Sequence, residues 1–151
     1  MITLTWSRDR KAKKKNASSY RPKLDVEDQS CKNLKIFPMN IYSKVSLVRF
    51  LYLQDNQLTR LPSDLFTKLQ CLEWLDIRNN RITVLPQLKG HKRQQENKKS
   101  FYRQLIGLFR LRCILAENNE LVSLPGDIWT AGNLSTLSLS NNNLDEVDII
   151  L

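Results

Sequence analysis

The stretch LYLQDNQLTRLP at residues 51–62 returns as LDIRNNRITVLP at 75–86 and, more loosely, as ILAENNELVSLP at 114–125. This repeat constrains the fold more than any other property of the chain. A unit of about two dozen residues cannot bury an apolar face alone, so neighbours must stack and share one core. Aligned on an asparagine in the ninth place, the frame is LxxLxLxxNxLxxLP. One copy supplies Val48, Leu51, Leu53, Asn56, Leu58, Leu61 and Pro62, and the next supplies Leu72, Leu75, Ile77, Asn80, Ile82, Leu85 and Pro86. A third supplies Leu111, Ile114, Ala116, Asn119, Leu121, Leu124 and Pro125. The fourth supplies Leu134, Leu137, Leu139, Asn142, Leu144 and Val147, with Asp148 where proline stands elsewhere. The framework asparagines are spaced 24, 39 and 23 residues apart. A weaker leading copy ends at Phe37-Pro38, 24 residues before Pro62, and its LDVEDQSCKNLKIFP reads as about three residues too long.

Each place in the frame has a physical reason. The xLxLx core is a short strand whose leucines alternate inward with period two. An asparagine at an inward place needs hydrogen-bond partners, and a buried amide can satisfy backbone groups in the turn after each strand. Asn56, Asn80, Asn119 and Asn142 are therefore read as a structural ladder along the stack. The Leu-Pro step ends the extended segment, because proline lacks a donor and fixes φ.

This frame, with the fuller run LPSDLFTKLQCLEWLDIRNN, resembles the leucine-rich repeat family over residues 24–151. The resemblance implies an α/β solenoid of about five repeats. Short parallel strands would line the concave face, helical or irregular return segments the convex face, and a protein partner would bind on the concave side.

Charge divides the chain into a body and two appendages. The formal net charge is +9. Residues 1–23 hold Arg8, Arg10, Lys11, Lys13, Lys14, Lys15, Arg21 and Lys23 against Asp9, and are read as a basic, disordered tail. The 39-residue spacing marks an insertion of about 16 residues near 91–106, on the return side of one repeat, where extra residues leave the strands undisturbed. Residues 87–107 carry Lys89, Lys92, Arg93, Lys98, Lys99 and Arg103 against Glu96. Without these two stretches the body is mildly acidic, at −3. Phe101, Leu105, Leu108 and Tyr102, Ile106, Phe109 recur at helical spacing. The insertion thus reads as a solvated loop leading into a return helix, or as a basic amphipathic helix for an acidic partner or an anionic surface.

The outward places of the frame form the candidate partner surface: Phe50, Tyr52 and Gln54, then Trp74, Asp76, Arg78 and Arg81, then Leu115, Glu117 and Glu120. The leucine framework does not require aromatics there, and Trp, Tyr and Arg most often carry binding energy. The competing reading packs Phe50 or Trp74 against the N-terminal segment. Catalysis has little to work with: one histidine, His91, four glycines without a phosphate-cradling motif, and no ligand cluster. No enzyme, metal or cofactor is expected. Cys31, Cys71 and Cys113 are odd in number and scattered, which suits free thiols in a reducing compartment. A cytoplasmic protein is expected, with nuclear import as the alternative for RDRKAKKKN. The sequence runs out at LDEVDIIL without a polar cap, so self-association through that end, or a longer protein, is expected.

Overall fold

The computed structural model describes residues 3–5 (as backbone), 25–44, 47–88, 110–128 and 132–145. Five strands pair in parallel, one from each repeat: β2 (Val26–Asp28), β3 (Phe50–Tyr52), β4 (Trp74–Asp76), β5 (Cys113–Leu115) and β6 (Thr136–Ser138). Strand β1 (Thr3–Thr5) adds to the outer edge of β6, so the sheet order is β1-β6-β5-β4-β3-β2. From β3 to β6 each three-residue strand is centred on the first framework apolar residue of its repeat, and the second, Leu53, Ile77, Ala116 or Leu139, follows the strand. The centre of each strand points inward: Glu27, Leu51, Leu75, Ile114 and Leu137 lie in one register row.

Behind this row sits one apolar core. Leu51, Leu53, Leu58, Leu75, Ile77, Ile82, Ala116 and Leu121 are fully enclosed. The chain returns on the other side through short elements, a 3-10 helix at Met39–Lys44 and a single turn of helix, α1 (Leu65–Lys68). Each drives apolar side chains into the core: Ile41 from the first, Leu65 and Phe66 from the second. The Tyr42 hydroxyl donates to Asp64 Oδ1 at 2.9 Å and ties one return segment to the next. Burial, and then the Asp64 carboxylate, push that phenol well above its ordinary range.

The leading repeat differs from the sequence expectation. It is not too long. Val26 pairs with Phe50, Glu27 with Leu51 and Asp28 with Tyr52, so the 24-residue spacing holds and the departure is in residue type alone. Glu27 takes the place of a framework leucine, Gln29 the next one, and Lys32 the place of the asparagine. Glu27 is buried, accepting from Lys44 Nζ at 2.8 Å and Gln29 Nε2 at 2.6 Å. Burial alone would raise its carboxyl, but these hydrogen bonds, together with the charges of Lys44 and Lys32, hold it below the usual carboxylate range. An end repeat has a neighbour on one side only, and polar groups there cap the core against water.

The sequence expectation also gave residues 1–23 no ordered element, whereas Thr3–Thr5 runs antiparallel to β6, with Leu4 opposite Leu137. An open sheet edge presents unpaired backbone groups, and a β-branched segment such as TLT suits the pairing. The remainder of residues 1–23, the insertion at 91–106 and residues 149–151 lie outside the described residues.

The repeats resume in register across the insertion. Trp74 pairs with Cys113 at a separation of 39 residues, Val84 bridges Ser123 in parallel, and Leu88 N donates to Asp127 Oδ1 at 3.2 Å. The extra residues are therefore confined between 88 and 110. Deleting residues 91–106 should leave the melting temperature unchanged or slightly higher, since a long loop carries closure entropy. Calorimetry of the deletion variant checks this; an unfolded variant would make the segment part of the core.

Candidate functional site: the concave strand face

The turn after each strand is built on two parallel ladders. The inner one is buried. Asn80 Nδ2 donates to the carbonyls of Leu53, Ile77 and Arg78 at 2.9, 3.0 and 3.2 Å, and its Oδ1 accepts from Leu58 N at 2.9 Å. Asn56, Asn119 and Asn142 repeat the pattern, reaching back to the carbonyls of Gln29, Ile77 and Ala116. Each amide thus spans two repeats and leaves none of its polar atoms idle.

The outer ladder was not anticipated from sequence. Asp55, Asn79, Asn118 and Asn141 all have φ between 54° and 58°. Asn141 Nδ2 donates to Asn118 Oδ1, Asn118 to Asn79 and Asn79 to Asp55 Oδ1, each at 2.7 Å. Asparagine and aspartate tolerate the left-handed region better than other side-chain-bearing residues. The signal was there to read, an Asp or Asn at place eight in four copies. These side chains are turn formers bonded to one another.

These turns present three outward columns. The first holds Val26, Phe50, Trp74, Cys113 and Thr136, and the second Asp28, Tyr52, Asp76, Leu115 and Ser138. The third follows the strands, with Gln54, Arg78, Glu117 and Ser140. Phe50, Tyr52, Gln54, Trp74, Arg78, Leu115 and Glu117 are half-buried, and Arg81 and Glu120 are exposed. Asp76 departs from the expectation of an open contact residue. It is 2% exposed, and its carboxylate accepts from Arg78 Nε at 2.9 Å and from the outer guanidinium nitrogen at 2.6 Å. That bond holds Arg78 further above its usual value. The pair fixes the surface and leaves Asp76 little to offer a partner.

At the head of the strands the charges alternate. Arg49 clamps Glu73 with two bonds, of 3.0 and 2.9 Å, reaches Asp25 at 3.5 Å, and lies 5.5 Å from the Phe50 ring centre. The Arg49 bonds hold the Glu73 carboxyl below the usual range. Phe50 is thereby braced from one side.

All three cysteines are free. Burial, then the Asp76 and Glu117 carboxylates, push the Cys113 thiol up to about 11 from an ordinary 9.0. The thiol therefore stays protonated at neutral pH, the less reactive form. Between pH 9 and about 11 the unfolded chain loses this proton while the folded chain keeps it, so stability falls as pH rises through that window. The alkaline loss of melting temperature should be shallower in Cys113→Ala; equal slopes would contradict the buried thiol. Among the described residues no three His, Cys, Asp or Glu side chains stand together as a metal site, and no helix is long and apolar enough to cross a membrane.

Parallel strands, a stacked leucine core and an asparagine ladder define a leucine-rich repeat solenoid, and the comparisons agree. Leucine rich repeat family models match residues 46–90 and 133–151. The leucine-rich repeat protein LIC12759 of Leptospira interrogans superimposes with a TM-score of 0.57 at 25% identity, over 76% of this chain and 24% of its own. The leucine-rich repeat domain of APL1B gives 0.63 at 23% identity, over 84% of this chain and 33% of its own, a likeness of fold alone. The chain therefore spans well under half the length of either. No curated protein matches it in sequence. Leucine rich repeat models thus match two separate parts of the chain, and the fold between and around them is that of a leucine-rich repeat solenoid.

Proposed function

We propose that this chain is a protein-interaction scaffold that holds its partner on the concave face. Leucine-rich repeat domains are generally protein–protein interaction modules and typically non-enzymatic. The observation that carries the reading is the placement of Phe50, Tyr52 and Trp74. They stand half-buried in two adjacent outward columns of β3 and β4, where the framework asks for no apolar residue. Large aromatics fixed on a rigid sheet have little entropy left to lose on binding, which is why they anchor interfaces. The test is capture of a partner by the intact chain and by Trp74→Ala and Tyr52→Ala. Equal retention by both variants would remove the concave face from consideration.

A second reading rests on charge. The tail and Lys92, Arg93, Lys98, Lys99 and Arg103 would dock on an anionic membrane, a nucleic acid or an acidic protein. A salt titration of partner affinity separates the two. Binding through released counterions falls steeply with salt, whereas an aromatic-centred interface changes little. We place the protein in the cytoplasm, a reading supported by its three free cysteines.

A further inference from the structure

The outward places of the five repeats carry Asp28, Asp55, Asp76, Glu117 and Glu120 against Arg78 and Arg81 alone. The face is net acidic in a chain whose total charge is +9. Arg78 bonds Asp76, at 2.6 Å, and stands near the Glu117 and Asp55 carboxylates without bonding either. What remains unpaired is specific. Among the described residues three buried side-chain atoms have no hydrogen-bond partner: Gln54 Oε1, Trp74 Nε1 and Glu117 Oε2. All three belong to the outward columns. Glu117 uses its other oxygen to accept from Ser138 Oγ at 2.7 Å, which holds the carboxylate in place with Oε2 free. Gln54 and Glu117 flank Arg78 in the third column, and Trp74 heads β4 between them.

An unpaired buried polar atom costs free energy that a ligand can recover by supplying its complement. Two of these atoms are acceptors, one of them anionic, and the third is a donor beside an aromatic ring. Their complement is a cationic group with several N–H donors, accompanied by a carbonyl for the indole N–H. An arginine or lysine in an extended peptide offers both, and aromatic faces add cation–π attraction. An acidic segment would meet Asp28, Asp55, Glu117 and Glu120, an excess of carboxylates over the arginines of the face. We infer that the centre of the concave face receives a cationic side chain of a basic peptide segment, with Glu117 as its counter-charge and Gln54 as a second acceptor. This rests on the concave-face reading above and names the chemistry of its partner.

The test selects binders from a random octapeptide display library on the full chain and retains clones that Trp74→Ala abolishes. These should share an arginine or lysine. In a synthetic peptide from that set, exchanging the arginine for citrulline, which keeps the shape and removes the charge, should weaken binding about tenfold or more. The same exchange should matter far less against Glu117→Gln, which keeps an acceptor for Ser138 Oγ and so keeps the fold. An unchanged citrulline effect in Glu117→Gln overturns the assignment of the counter-charge. Trp74-dependent peptides without any cation overturn the inference but leave the concave face standing. If no selected clone depends on Trp74, both readings fall.

Discussion

Replacing Asn80 with leucine should destabilise the protein by about 1–3 kcal/mol, because the backbone groups it satisfies are left unpaired in the core. Three carbonyls and one amide in two consecutive repeats converge on this side chain, which is only 8% exposed. Leucine fills the volume and answers none of them. Asn80→Asp should be worse at neutral pH, since it turns an oxygen towards three carbonyl oxygens, and should recover part of the loss in acid as the carboxyl protonates. Asn79→Gly offers the contrast. Glycine accepts the φ of 54° without strain, and the bonds it removes are exposed, so the loss should be smaller. Urea denaturation of the three variants measures the differences. A leucine variant as stable as the parent would mean that the inner ladder does not hold the turns.

Much of this fold was legible because period carries so much of it. Leu51, Leu75, Ile114 and Leu137 recur at one place and share one register row, across the 39-residue gap as well as the regular spacings. The leading repeat was harder to read since Glu27, Gln29 and Lys32 occupy framework places. A pattern defined by leucine and asparagine goes silent where an end repeat trades apolar residues for polar ones. Thr3–Thr5 left no signal either, because its partner, the edge of β6, is a three-dimensional feature. The same holds within the candidate site. Column membership of Phe50, Tyr52 and Trp74 followed from the frame. The burial of Asp76 depends on where Arg78 folds back, and counting places does not reveal it. At place eight the backbone φ, rather than polarity, selects Asp55, Asn79, Asn118 and Asn141.

The second large effect concerns binding. Trp74→Ala should weaken attachment of a partner by about 2–4 kcal/mol, the cost of losing a central aromatic anchor and of leaving its contacts open. Trp74 is half-buried, its indole nitrogen is enclosed without a partner, and it lies in register between Phe50 and Cys113. The ring stands outside the leucine core, so the melting temperature should change little. The neighbouring residue behaves oppositely. Leu75 is fully enclosed, and Leu75→Ala should cost about 2–5 kcal/mol of stability through the cavity it leaves. Two adjacent residues of one strand thus separate binding from folding. Equal affinity in Trp74→Ala and the parent, measured by calorimetric titration, would move the interface away from this column.

Amide hydrogen exchange with and without a bound partner tests the concave-face account most directly, since it reports protection along the chain without altering any residue. Protection is expected at 50–57, 74–81 and 113–120, the strands and turns of three consecutive repeats. The return segments at 39–44 and 65–68 should exchange as in the free chain. Protection confined to those return segments, with the strands unchanged, would contradict the account.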